Sequence, residues 1–261
     1  MNLLKRWIAF YVFGNIHVSL AAYCLTQITF LKFDIQKHSL AIFVFFSTVF
    51  AYNMIRFFQI DRINTAVALW FRSNKKALLF LNLISFMATI YYLLQLDWND
   101  FLFLIPFLMA TVFYVLPYSS SGKGLRTIPG LKLFLIAMTW TGMTFFFPLY
   151  VNEVELSNSV YLEGLQRFLF VFALTIPFDI RDASFDLEKL STLPQAFGIT
   201  ASKVFAVLAL LISILIDYWV LQADTAVIWT DIFILCMTIV FILFTTPYRN
   251  RYYTAFWIEG I

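Results

Sequence analysis

"FLFVFALTIPFDIRDASFDLEKLSTLPQAFG" runs from Phe168 to Gly198. Its first third is apolar almost without interruption. Then Asp179, Asp182, Asp186 and Glu188 follow within ten residues, with Arg181 among them and Lys189 directly after. A continuous apolar run that ends abruptly in charge reads as a helix leaving a bilayer, because it lacks the polar stripe of a helix at a protein–water boundary. The question it raises is why carboxylates gather at that exit.

The rest of the chain agrees with a membrane setting. Its 261 residues are 62% hydrophobic, 20% aromatic and only 13% charged, about half the charged share of an ordinary soluble domain at roughly 25%. Mean hydropathy is +0.83. The apolar stretches are continuous and not alternating, which argues against a β-barrel. The expected fold is all-α: one transmembrane domain over residues 1–261, with about eight membrane-spanning helices. The spans are expected near 8–31, 38–58, 77–96, 100–117, 131–150, 159–179, 203–222 and 227–247. The first residues, "MNLLKRWIAF", show no separate signal-peptide pattern and are read as retained. Cys24 and Cys236 both fall in apolar runs, without metal spacing, and read as inert packing residues.

Lys and Arg set the orientation. Lys5 and Arg6, the 56–76 stretch, Lys123, Arg126 and Lys132, the 180–203 stretch, and Arg249 and Arg251 all fall on one side of this span order. The other side holds Lys32 and Lys37 with Asp97, Asp100, Glu153, Glu155 and Asp224. The positive-inside rule then makes this a multi-pass integral membrane protein with both termini in the cytoplasm. By the same count, the ends of the second and sixth spans share the cytoplasmic face.

On a helix, Asp179, Asp182 and Asp186 lie on one stripe, at i, i+3 and i+7. Three carboxylates at low dielectric repel one another, and a divalent cation relieves that. Mg²⁺ takes oxygen ligands and commonly shares them with substrate phosphates. The plainer reading of the same spacing is a solvated loop with ordinary surface acids, Pro177 marking a kink.

The residues beyond the acids favour the first reading. "DIRDASFDLEKLSTLPQAFG" resembles the second signature of the UbiA superfamily of intramembrane prenyltransferases, at Asp179, Asp182, Asp186, Thr192, Leu193, Pro194 and Gly198. It follows the sixth expected span, where that family carries it. The resemblance implies a UbiA-like helix bundle in which Asp-rich motifs hold Mg²⁺ against the diphosphate of a prenyl donor. Loss of the diphosphate gives an allylic carbocation, which a lipophilic or aromatic acceptor attacks within the membrane. It implies Asp182 and Asp186 as catalytic residues, and Asp179, Asp182, Asp186 and Asp61 as metal ligands. The partners are a prenyl diphosphate, the acceptor and membrane lipids, with no nucleic acid.

The first motif departs from the family. The family pattern Asn-Asp-x-x-Asp-x-x-x-Asp meets "NMIRFFQID" here: Asn53 and Asp61 match, while Met54 and Phe57 stand where two acids belong. Arg56 either contacts the diphosphate through charge-assisted hydrogen bonds or is structural. Arg62 reads as a solvated positive-inside residue. A third element, "YSSSGKGLRTIPGLK", resembles the family's loop after span four, with Tyr118, Lys123 and Arg126 as diphosphate contacts. It is no Walker motif, and its plainer reading is a basic loop facing anionic lipid.

Within the spans, Asn15 and His17 either orient an acceptor or tie helices together. Glu163 and Arg167 read as a structural i, i+4 pair, and Asp217 as reaching the outer interface. The family commonly has nine spans; eight are counted here. The main reading is therefore a prenyltransferase. The alternative is a non-catalytic UbiA-like protein binding a prenyl lipid or quinone, for which the altered first motif speaks. A transporter would line a path at mid-membrane with ionisable groups, whereas these crowd one face.

Overall fold

In a computed structural model, residues 3–59, 66–115, 130–183, 192–221 and 225–261 are described. Every regular element among them is helical. Six helices are long and apolar enough to cross a membrane: Ser39–Phe58, Lys75–Leu93, Leu131–Val151, Asn158–Asp182, Ile199–Trp219 and Thr225–Leu243. A bent pair, Leu3–Phe13 and Ile16–Lys32, meets at 56° and is a seventh if it crosses as one span. Trp98–Val112 is apolar but shorter. Among the described residues, span 8–31 falls on the bent pair, span 100–117 on the shorter Trp98–Val112, and the other six expected spans on the six long helices. Their outward faces are apolar too: Leu208, Leu211 and Leu215 recur at i, i+3 and i+7, all exposed. Such a stripe suits lipid and is a liability in water.

Contacts divide the chain into two compact units, one over Met1–Phe103 and one over Leu104–Glu259. In the first, α1 (Leu3–Phe13) and α2 (Ile16–Lys32) precede α3 (Ser39–Gln59), α4 (Ala66–Ser73) and α5 (Lys75–Leu93). α3 packs against α2 and α5, burying Ala41, Val44 and Val49. The break between α1 and α2 was not foreseen in span 8–31. It is made by Gly14 and Asn15. Asn15 adopts a left-handed backbone, φ 63°, which Asn tolerates better than most residues. At Gly14 a Cβ would collide with the carbonyl oxygen of Phe10. The short helix α4 was not foreseen either.

The second unit begins inside α6 (Trp98–Val115) and continues with α7 (Leu131–Thr141), α8 (Phe147–Val151), α9 (Asn158–Asp182), α10 (Leu193–Phe197), α11 (Ile199–Leu215) and α12 (Thr225–Leu243). α7 and α8 are one span, joined by a π-helical turn over Gly142–Phe146. Pro148 follows that turn and supplies no N–H to the ladder. α9 is the centre of the unit and packs against α11 and α7. Its Ala173, Ile176 and Ile180 join Leu133, Leu193, Ala206, Leu210, Leu235 and Ile242 in one buried core. α11 runs on into a second π-helical stretch, Ile216–Leu221, and a third lies at Tyr253–Ile258. Cys24 and Cys236 are exposed on helix surfaces, not packed inside as the sequence suggested.

Candidate functional site

The carboxylates at the end of α9 come out of its core face. Ile176 and Ile180 are fully buried, and Asp179 shares their side of the helix, so it is carried into the interior at 1% exposure. A buried carboxylate needs a counter-charge. It finds one in Lys132, from the first turn of α7, whose Nζ lies 2.6 Å from Asp179 Oδ1. The lysine comes from 47 residues away, so this pair also fastens α7 to α9.

Asp182, one turn on, is nearer the surface, its side chain 37% exposed. The guanidinium of its neighbour Arg181 donates to both of its oxygens, Nε to Oδ1 at 2.7 Å and Nη2 to Oδ2 at 2.8 Å. That is the two-pronged geometry in which Arg binds carboxylates best. The third nitrogen, Nη1, donates to Thr254 Oγ1 at 2.6 Å, and the guanidinium lies 5.2 Å from the Phe178 ring centroid. Thr254 belongs to the C-terminal π-helical turn and is buried. Tyr253 beside it donates its hydroxyl to the Phe241 carbonyl of α12. Burial pushes that phenol above its ordinary pKa, against the pull of Arg249 over its ring, so it stays a donor at neutral pH. Arg251, at the head of the same turn, acts electrostatically on Asp182.

Carboxylate oxygens are the donors Mg²⁺ prefers, but these two do not fit it as they stand. An entering ion must expel a guanidinium from both oxygens of Asp182 and compete with an ammonium for Asp179. Among the described residues, no group of three or more His, Cys, Asp or Glu is placed to hold a metal. Asp186 and Asp61, the other expected ligands, lie outside the described residues, as do Tyr118, Lys123 and Arg126.

The remaining positions of the signature build the backbone. Gln195 Oε1 accepts from Thr192 N at 3.1 Å, Pro194 sits in the first turn of α10, and Leu193 enters the core. Gly198 then turns the chain into α11 with φ 85°, ψ 161°, a region open in practice only to glycine.

In the first unit, the expected substrate contacts hold helices together. Asn15 Nδ2 donates to Asn53 Oδ1 at 2.9 Å, and Asn53 Nδ2 donates to the Gly14 carbonyl at 3.3 Å. Arg56 Nη1 donates to the Phe13 carbonyl at 2.8 Å. All three bonds fall on the break between α1 and α2, and those to the Gly14 and Phe13 carbonyls satisfy backbone groups that a broken helix leaves open. His17 Nδ1 is 2.8 Å from the Tyr11 hydroxyl across the same break.

One polar cluster escaped the sequence reading. Asp217 does not reach the interface; it is 2% exposed and accepts a hydrogen bond from Gln166 Nε2 of α9. One residue on, Arg167 Nη1 donates to Thr144 Oγ1 at 3.4 Å and faces the Phe145 ring. Asp217 and Thr144 both sit on π-helical stretches, and hydropathy carries no signal for those.

No family model matches the chain, and no curated protein or solved structure matches it.

Proposed function

We propose that this chain is a UbiA-like intramembrane protein of eight spans, with both termini cytoplasmic. Its activity is transfer of a prenyl group from a prenyl diphosphate to a lipophilic or aromatic acceptor. The observation that supports this is the gathering of Asp179, Asp182, Lys132 and Arg181 where a membrane-length apolar helix ends. Charge at such a boundary suits a ligand with an anionic head and an apolar tail: the head stays among ions while the tail enters the bilayer. Asp186, Tyr118, Lys123 and Arg126 belong to the same end in this reading. No step is assigned to Mg²⁺, because Asp179 and Asp182 do not fit it as they stand. The purified full chain, given farnesyl diphosphate and a membrane lipid extract, is expected to release pyrophosphate and yield a lipid heavier by one farnesyl group. Mass spectrometry of the extract checks this.

The second reading is a non-catalytic protein that binds a prenyl lipid or quinone. One observation favours it: Asn53, which the first motif keeps, and Arg56, three residues on, are engaged at the α1–α2 break. Saturable farnesyl diphosphate binding without pyrophosphate release selects it. Absence of both binding and turnover sinks the first reading, and failure to bind a quinone as well sinks the second.

A further inference from the structure

In a metal-dependent Asp-rich motif, carboxylates outnumber local cations. The metal reverses the sign of the site so that a diphosphate can approach. The end of α9 has a different balance. Among the described residues, three cations, Lys132, Arg181 and Arg251, gather around two carboxylates, Asp179 and Asp182, while Asp186, Glu188 and Lys189 lie outside the described residues. Two of those cations sit directly on carboxylate oxygens, at 2.6 and 2.7 Å, where an ion would have to sit.

We propose that Lys132 and Arg181 take the place of the divalent metal, so that this end of α9 binds the phosphate head of an isoprenoid diphosphate without Mg²⁺. The inference rests on the prenyl-diphosphate reading above and narrows it. Asp179 and Asp182 become counter-ions that hold the two cations in position. The ligand's phosphate oxygens compete with those carboxylates for the same donors. Lys132 and Arg181 are each about one-fifth exposed, at 21% and 20%, so both remain reachable from the rim. Thr254 is a positioning residue: it fixes the one guanidinium nitrogen that Asp182 does not hold.

This arrangement inverts the usual effect of removing an acid. At a metal site, Asp182→Asn deletes a ligand and binding falls. Here it releases Arg181 to the ligand, and binding holds or tightens. The test is equilibrium binding of farnesyl diphosphate to the full chain in nanodiscs, in EDTA and in Mg²⁺, for the parent, Asp182→Asn and Arg181→Gln. The expected result is equal affinity in EDTA and Mg²⁺ to within about threefold, affinity in Asp182→Asn at or above the parent's, and a loss of about tenfold in Arg181→Gln. Because Asp182 lies near the surface, its variant is expected to fold, and unfolding curves check that. A double variant, Lys132→Gln with Asp179→Asn, keeps a neutral hydrogen-bonding pair at the buried position and is also expected to lose affinity in EDTA.

Binding that drops about tenfold or more in EDTA, and again in Asp182→Asn, overturns the metal-free site while leaving the prenyl-diphosphate reading intact. Absence of binding under every condition overturns both. A competition arm with phosphatidylglycerol separates the sources of phosphate. Displacement at equal concentration keeps the metal-free anion site, assigns it to a lipid headgroup, and removes the support for prenyl transfer.

Discussion

The Lys132–Asp179 pair decides what one residue is worth here. Breaking a buried pair by removing one partner strands a charge, which costs about 3–5 kcal/mol, whereas replacing both by apolar groups of similar size is often neutral. Lys132→Ala is therefore expected to destabilise the second unit by about that amount, and Lys132→Met with Asp179→Leu to recover most of it. Unfolding by a denaturing detergent, followed by circular dichroism, checks both. An equal loss in the double variant would show that the pair is not a simple counter-charge. Asn53 presents the same logic without charge. Asn53→Ala leaves Asn15 Nδ2 and the Gly14 carbonyl short of a buried partner, at about 1–3 kcal/mol. In the reading where Asn53 is structural, farnesyl diphosphate affinity changes little once stability is allowed for. A selective loss of affinity in a stable Asn53→Ala protein would restore it as a ligand contact.

Elements were legible in the sequence where hydropathy alone decides, and obscure where backbone geometry does. Six of the expected spans fall on single helices of membrane length, since a run of about 20 apolar residues has few other fates in a bilayer. The break at Gly14 and Asn15 was missed because span 8–31 is apolar on both sides of it, although Gly-Asn is an ordinary helix-stop signal. The role of Asp179 was half legible. Its spacing with Asp182 showed in the sequence, but Lys132 comes from another helix and only tertiary packing brings it within 2.6 Å. Thr254 lies 73 residues from Arg181, and nothing in its own neighbourhood signals that contact. Gly198 is the clearest element-scale test. No atom lies within 4 Å of a Cβ added there, so Gly198→Ala meets a purely backbone penalty of about 1–3 kcal/mol. The expected outcome is a lower unfolding midpoint and weakened protection of the α10–α11 junction in hydrogen exchange. An unchanged midpoint would mean that the backbone there relaxes to a negative φ.

For the whole molecule, the membrane count turns on α6. Its 18 residues span about 27 Å at 1.5 Å each, just short of the roughly 30 Å hydrocarbon core, and Pro106 lies within it. If α6 and the bent α1–α2 pair both cross, the count is eight and the termini face one side. If α6 does not cross, the count is seven and they face opposite sides. The distribution of Lys and Arg favours eight, since Lys5, Arg6, Arg249 and Arg251 then all fall on the basic side while Asp97, Asp100, Glu153 and Glu155 fall on the other. Single cysteines at Lys5, Glu153 and Arg249, placed in a chain with Cys24 and Cys236 replaced by Ala, test this with a membrane-impermeant maleimide on sealed cells. Glu153→Cys is expected to label from outside, and Lys5→Cys and Arg249→Cys only after the membrane is opened. Labelling of just one terminus from outside would give an odd count. It would also put the basic stretches on both faces, which removes the charge argument for a single cytoplasmic site.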